Sequence, residues 1–241
     1  DGKRKVSWYP NFRLIDTATV TPDAETQAKV DEYNSLLSKE LDVAVGTTTE
    51  ALDSRKSTVR TTEAAIGNLI ADGMRAAVGA DIAITNGGGI RGNKEYPAGA
   101  ELTRRDILSE LPFGNITQVT ELPGSQVLAA LENGFSQVEK GAGRFPQVSG
   151  MEVVYDPSAE PGSRVSSVTV GGAPLDMDKL YSLATNDYVL GGGDGYAALG
   201  GGRILTNVGE GKLVANDVMA YIEAKDGANV GVEGRIKKLG E

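Results

Sequence analysis

DIAITNGGGIRG, residues 81–92, is a short apolar segment that runs directly into three glycines and an arginine. Ile82, Ala83 and Ile84 predict a buried strand. Glycines without a Cβ let a ligand approach the backbone N–H groups of the following loop. The planar guanidinium of Arg91 matches the oxygens of a phosphate or a carboxylate. The stretch therefore predicts a junction between strand and loop that binds a small anion.

Composition limits the classes of protein to which the chain can belong. Its 241 residues with 40% apolar content are enough for a sizeable core. A net charge of −9 argues against a nucleic acid polymer as partner. No run of 18 apolar residues occurs, so we expect no membrane insertion of this segment. A first residue other than Met, without an apolar signal core, suggests a processed or excised piece.

Cysteine and histidine are both absent. The first absence excludes disulfides and thiol chemistry, and the second removes the usual ligand of zinc and the commonest general base. The carboxylates are scattered, and no serine lies in a G-x-S-x-G pattern. We therefore expect no catalytic centre and no metal site within this chain.

The apolar spacing predicts helices and strands in a mixed order. Helices are expected from about residue 23, with a cap at Thr21, to 41, and over residues 62–78, 103–112, 128–138 and 213–224. Residues 103–106 have the form of a capping box, and the inward face of the helix over 62–78 would consist of Ile66, Leu69, Ile70 and Met74. Strands are expected over residues 42–49, 81–85, 151–155, 164–170 and 180–185, with a polar loop over 52–62 and a strand-like pattern at Val6, Trp8 and Phe12. This order favours an α+β fold in which a mixed β-sheet is flanked by helices.

The glycine-rich loop also satisfies the dinucleotide pattern G-x-G-x-x-G as a string. However, Pro97 and Gly99 occupy the place of the helix that should receive the pyrophosphate. No Gly-Lys-Ser/Thr follows, so a P-loop is excluded as well. The match to a Rossmann motif is therefore accidental.

Four motifs in order resemble the C-terminal substrate-binding domain of the 5'-nucleotidase / UDP-sugar hydrolase family. They are NGGGIR at 86–91, LPFGN at 111–115, FPQVSG at 145–150 and GGDGY at 192–196. The resemblance covers roughly residues 40–225. It implies that residues 1–20 are the remnant of a preceding metallophosphoesterase domain, residues 21–42 a connector helix, and residues 43–241 the nucleotide-binding C-terminal domain.

The resemblance also implies roles for individual residues. Arg60 and Arg91 would hold the substrate phosphate, together with Arg55 or Lys56, and which of those two faces the phosphate stays open. Two rings next to loop residues, Phe113 and Tyr188, would stack on the base, and the Asp194 carboxylate suits the vicinal hydroxyls of ribose. The remaining predicted contacts with substrate come from Asn86, Gly89, Asn115 and Gly143. Surface charge, hydrophobic packing and an Asx-turn are the structural alternatives for these residue types.

The function implied by the resemblance is substrate binding and specificity for a metal-dependent 5'-nucleotidase-type phosphohydrolase. The two divalent metal ions would belong to an N-terminal domain outside these residues, so this segment alone would be inactive. Periplasmic, cell-surface or secreted localisation is the family expectation. The alternatives are a non-catalytic module that binds nucleotides or nucleotide sugars, and an interaction domain whose pocket has decayed.

Overall fold

The computed structural model describes residues 4–6, 10–206 and 211–240. The chain divides into two compact units, Asp1–Glu40 and Leu41–Glu241. Within the described residues, no helix is both long enough and apolar enough to cross a membrane.

The first unit consists mainly of α1 (Ala24–Leu41), whose five turns match the predicted length. Its cap differs from the prediction, because Asp23 rather than Thr21 accepts a hydrogen bond from the Thr26 N–H, at 2.9 Å. Asp23 also accepts from the Thr26 hydroxyl, and these bonds lower the pKa of the Asp23 carboxyl. Residues 10–16 form no strand, and Trp8 lies outside the described residues.

The second unit alternates helices and strands. Its helices are α2 (Lys56–Val59), α3 (Ala65–Val78), α4 (Arg104–Glu110), α5 (Gly124–Phe135), α6 (Asp187–Leu190) and α7 (Val214–Ala224). Its strands are β1 (Ala44–Thr47), β2 (Leu52–Asp53), β3 (Ile82–Asn86), β4 (Glu95–Tyr96), β5 (Glu101–Thr103), β6 (Thr117–Pro123), β7 (Pro146–Ser149), β8 (Met151–Tyr155), β9 (Val165–Val170), β10 (Ala173–Pro174), β11 (Leu180–Asn186), β12 (Arg203–Ile204) and β13 (Ile236–Lys238).

Two mixed sheets organise this unit. The larger sheet has the order β12-β6-β11-β3-β7, and only its β11–β3 pair is parallel. The smaller sheet has the order β10-β9-β8-β13, with a parallel β8–β13 pair. Two short antiparallel ladders, β1–β5 and β2–β4, lie outside these sheets. The predicted α+β fold with a mixed sheet flanked by helices is confirmed.

Strand β3 lies between two hydrophobic cores. Ala83 packs in the core that contains residues of α3 and α7, whereas Ile82 and Ile84 pack in the core that contains residues of α5. Side chains of a strand alternate between its two faces, so cover on both faces buries all five residues of β3. The centre of the sheet thereby fixes the point at which the glycine-rich loop begins.

The expected helices and strands are present with similar bounds, whereas β6 and β7 of the larger sheet were not predicted. The predicted capping box of α4 is present, because Thr103 and Asp106 each accept a hydrogen bond from the other's backbone N–H. The predicted loop over residues 52–62 was wrong in part. It contains β2, which pairs with β4, and the single turn of α2. A two-residue strand and one helical turn are too short to leave a periodic pattern.

Candidate functional site

The loop after β3 is held close to a second loop. Gly87–Gly89 form a 3-10 turn, and the Gly88 N–H donates to the carbonyl of Gly143 at 2.7 Å. A Cβ built on Gly88 would lie 2.9 Å from the Gly143 Cα. The close approach of these two backbones therefore requires glycine at position 88.

Glu110, at the end of α4, fixes the arginine that follows the glycines. The Arg91 N–H donates to the Glu110 carbonyl, and the Gly92 N–H donates to Glu110 Oε2, both at 2.9 Å. The Glu110 side chain is buried, and its Oε1 accepts a hydrogen bond from the Tyr96 hydroxyl at 2.8 Å. Burial and the nearby Glu110 charge raise the pKa of the Tyr96 phenol, so this phenol stays a donor.

A cleft of about 500 Å³ opens beside this loop. It contains two arginines, two aromatic rings and one carboxylate. The lining residues are Arg60, Asn86, Gly88, Gly89, Arg91, Phe113, Asn115, Gly143, Tyr188 and Asp194. Nine of the eleven residues singled out in the sequence are among them, although they are spread over more than 130 positions of the chain.

The two arginines supply the positive charge of the cleft. Arg60 Nε is buried, and no hydrogen-bond acceptor within the described residues reaches it. Burial, followed by the positive charge of Arg91, lowers the pKa of Arg60, and Asp194 opposes that shift. The Arg91 guanidinium carbon lies 5.3 Å from the centre of the Phe113 ring, within the range of a cation–π contact. This part of the cleft is suited to an anion.

Asp194 is held in a backbone conformation that few residues adopt. Its φ is +53°, in the left-handed region, between Gly192 at +87° and Gly195 at +86°. The Asn86 side chain donates to Asp194 Oδ2 at 2.7 Å, and the Tyr188 hydroxyl donates to Oδ1 at 3.1 Å. The carboxylate is thus fixed in the cleft by residues from β3 and α6.

Both aromatic rings of the cleft are accessible to solvent. Phe113 is 60% exposed and Tyr188 is 50% exposed. The Tyr188 hydroxyl also accepts a hydrogen bond from the Asp194 N–H at 3.2 Å. Burial and the Asp194 charge raise the pKa of this phenol. Exposed rings of this kind leave flat apolar surfaces for a ligand.

The structure places Arg55 and Lys56 away from the cleft lining. Arg55 Nη2 lies 2.7 Å from both Asp53 Oδ2 and Glu95 Oε1, so its charge is already paired. The Lys56 N–H donates to Asn93 Oδ1 at 3.1 Å, and its side chain is exposed. The predicted phosphate contact from one of these two residues draws no support from this arrangement.

Gly88, which lines the cleft, and Asn186, which bonds to Asn86, were not predicted from the sequence as site residues. The Asn186 side chain donates to Asn86 Oδ1 at 3.2 Å, and its Oδ1 caps α6 by accepting from the Val189 N–H at 2.8 Å. Asn86 and Asn186 each end a strand of the parallel β3–β11 pair. An asparagine at the end of two neighbouring parallel strands is the signal that could have identified Asn186.

A smaller apolar cavity of about 270 Å³ adjoins the cleft. The two share Gly89, Phe113 and Asn115 as wall residues. Asn115 is oriented by a 2.7 Å hydrogen bond from its Nδ2 to Asp187 Oδ1. The side chain of Asn115 therefore stands at the boundary between a polar and an apolar space.

Within residues 4–6, 10–206 and 211–240, no three or more Asp or Glu side chains lie close enough together to hold a metal ion. Histidine and cysteine are missing from the whole sequence. The donor set described here does not fit a divalent-metal centre.

Comparisons with known proteins identify the family of the chain. A family model described as "5'-nucleotidase, C-terminal domain" matches residues 44–201. The trifunctional nucleotide phosphoesterase protein YfkN of Bacillus subtilis (strain 168) is 38% identical over 89% of this chain, which spans 15% of YfkN. Snake venom 5'-nucleotidase of Gloydius brevicauda is 30% identical over 98% of this chain and 43% of that protein.

A solved structure of a 5'-nucleotidase is also similar to this chain. The 5'-nucleotidase precursor from Thermus thermophilus superposes with a TM-score of 0.80 at 36% identity, covering 90% of this chain and 43% of that one. The chain thus spans less than half the length of each of these three proteins. The family model covers most of the chain, so the chain belongs to the 5'-nucleotidase C-terminal domain family.

Proposed function

We propose that this chain is the substrate-binding and specificity domain of a 5'-nucleotidase-type phosphohydrolase. The observation that carries the proposal is the single cleft in which Arg60, Arg91, Phe113, Tyr188 and Asp194 meet. Positive charge, flat apolar surface and a hydrogen-bond acceptor are the three recognition elements that a nucleotide requires.

The phosphate would be held by Arg60 and Arg91. Arg60 offers a buried Nε without a partner among the described residues, and a phosphate oxygen would satisfy it. A dianionic phosphate would also relieve the repulsion between the two guanidinium groups, which contributes to the lowered pKa of Arg60. Most N–H groups of the glycine loop already donate to acceptors within the protein, so the two guanidinium groups would supply the phosphate contacts.

The nucleoside would occupy the part of the cleft lined by the rings. Phe113 and Tyr188 present accessible faces for a base, and each stacked face is worth about 1–3 kcal/mol. Asp194 would accept hydrogen bonds from the ribose hydroxyls, since Asn86 and Tyr188 already orient its carboxylate. Asn115 would contact the edge of the base, and Gly89 and Gly143 would let it approach the backbone.

Hydrolysis would require residues outside this chain. The donor set does not fit a metal centre, and the chain covers less than half of the relatives named as nucleotidases. We propose that a preceding metallophosphoesterase domain with two divalent metal ions carries out the cleavage, that residues 1–20 belong to it, and that residues 21–42 connect it to residues 43–241. Action outside the cytoplasm agrees with one relative's occurrence in snake venom.

Calorimetric titration of the 241-residue chain with AMP, adenosine and inorganic phosphate tests the proposal. We expect Arg91→Ala to weaken AMP about 10- to 100-fold and to leave adenosine nearly unchanged, because only AMP carries the charged partner. Phe113→Ala should weaken both ligands. Arg203→Ala is the matched control, since Arg203 lies on β12, outside the cleft lining, and pairs with Glu121 at 2.9 Å.

Thermal protection gives the result that would overturn the proposal. A ligand at 100 times its Kd should stabilise the chain by about 2.7 kcal/mol. If nucleosides, nucleoside monophosphates and nucleoside diphosphates at millimolar concentration all leave the unfolding temperature unchanged, the cleft does not bind nucleotides.

A further inference from the structure

The side chain of Gln147 is fully buried on β7 and bonds to the chain segment that carries Arg60. Its Nε2 donates to the Val59 carbonyl at 3.1 Å and to the Thr62 carbonyl at 2.8 Å. Its Oε1 accepts from the Ala64 N–H at 3.1 Å. One carboxamide therefore uses both of its donor hydrogens and its acceptor on residues 59–64.

These bonds lie on both sides of Arg60 along the chain. Helix α2 ends at Val59, and Arg60 follows it with φ −110° and ψ 3°. The Val59 carbonyl would otherwise be a buried acceptor without a strand or a long helix to satisfy it. The Gln147 side chain thus supplies backbone hydrogen bonds that a helix or a sheet would otherwise supply to the segment that carries Arg60.

The position of Gln147 is itself fixed. In the antiparallel β3–β7 pair it lies opposite Thr85, one residue before Asn86. On the helix side, a Cβ built on Gly67 would collide with the Gln147 carboxamide, so α3 packs directly against this side chain. Gln147 is consequently held between the sheet that delivers the glycine loop and the helix that follows Arg60.

We infer that Gln147 is a positioning residue that sets Arg60 against Arg91 in the cleft. The inference rests on the proposed function, because it assigns Gln147 a part in binding the phosphate rather than the nucleoside. Gln147 does not line the cleft. Because its three side-chain hydrogen bonds all go to residues 59–64, we expect its effect on a ligand to pass through Arg60.

The test compares Gln147→Met with the unmodified 241-residue chain. Methionine keeps the length of the side chain and removes all three hydrogen bonds. We expect the affinity for AMP to fall about tenfold and the affinity for adenosine to change less than about twofold. In an Arg60→Ala background, Gln147→Met should cause no further loss of AMP affinity, since the group through which it acts is already absent.

The matched control is Gln126→Met, because Gln126 lies beside Gly201 and its Oε1 lacks a partner in the described part of the chain. This variant should leave both affinities unchanged. If Gln147→Met lacks a cooperative thermal transition, Gln147→Asn keeps the carboxamide, shortens its reach, and should give the same selective loss. Amide exchange at Thr61 and Thr62 should also become faster in the variant that folds, which tests the effect of Gln147 on this segment without any ligand.

Three results would overturn the inference: equal losses for AMP and adenosine, an undiminished loss in the Arg60→Ala background, or unchanged AMP affinity in both Gln147 variants. Failure of the proposed function has a different signature. In that case the unmodified chain itself would not bind AMP, while the exchange rates at Thr61 and Thr62 would still respond to Gln147→Met.

Discussion

Replacement of Arg60 by methionine should stabilise the free chain and weaken nucleotide binding. Arg60 Nε is a buried donor without a partner among the described residues, and the charge of Arg91 adds repulsion. A buried unsatisfied donor costs about 1–3 kcal/mol, whereas methionine fills similar space without a polar group. Since Arg60 is only partly buried, we expect the free energy of unfolding to rise by about 1 kcal/mol.

The same substitution removes a charge-assisted contact with the phosphate. Such contacts are worth about 1.5–3 kcal/mol, which corresponds to a loss of about 10- to 150-fold in the affinity for AMP. Adenosine should bind as before. An increase in stability together with a decrease in AMP affinity would indicate that Arg60 serves ligand binding. If Arg60 served stability instead, its removal would lower the free energy of unfolding.

Urea unfolding and thermal melting of the ligand-free chain measure the first effect, and calorimetric titration with AMP and adenosine measures the second. An increase of about 1 kcal/mol should raise the unfolding temperature by about 2–4 °C in a chain of this size. Arg203→Met is the matched control, since Arg203 is 70% exposed and should change neither quantity. A destabilised Arg60→Met variant with unchanged AMP affinity would refute this reasoning.

Two further predictions concern carboxylates. Asp194→Asn keeps a residue that tolerates the left-handed backbone, but it replaces two acceptor oxygens by one. The side chain can then accept fewer hydrogen bonds from the ribose hydroxyls. Titrations should therefore show AMP about tenfold weaker and 2',3'-dideoxy-AMP, which lacks both hydroxyls, little changed. Equal losses for both ligands would contradict the ribose contact. Hydrogen bonding from Arg55 lowers the pKa of Asp53 to about 2. A carboxyl whose pKa is lower in the folded state than in the unfolded state stabilises the fold at pH values above its unfolded-state pKa. This stabilisation is lost as the pH falls through its folded-state pKa. In urea unfolding, the unmodified chain should thus be more stable than the Asp53→Asn variant at about pH 5, and most of this difference should be lost by about pH 2. A difference that persists at about pH 2 would show that Arg55 does not act on Asp53 in this way.

The sequence alone predicted the elements whose signals are short in range. The inward face of α3 at Ile66, Leu69, Ile70 and Met74 follows from helical spacing, and all four side chains are buried. The capping box at Thr103 needs only four residues to be recognised. The strand that leads into three glycines was visible for the same reason. The order of four such motifs then identified the family that the comparison with the family model confirms.

Charge and spacing did not decide which cation faces the cleft. Arg55, Lys56 and Arg60 lie within six positions and have similar chemistry. Arg60 enters the cleft, whereas Arg55 is drawn to Glu95 because the β2–β4 ladder places Glu95 opposite Asp53. That ladder joins segments about forty residues apart, and nothing in either segment predicts the pairing.

Sequence therefore determined the longer helices, the strand that enters the glycine loop, the acidic balance and the set of residue types available to a ligand. Tertiary structure decided which of those residues meet. The bonds that build the cleft join distant positions: Asn86 reaches Asp194 across 108 residues, and Gln147 reaches Thr62 across 85. Periodicity and capping act over a few residues, whereas these partners are chosen only when the strands of the sheet and the loops at its edge have come together.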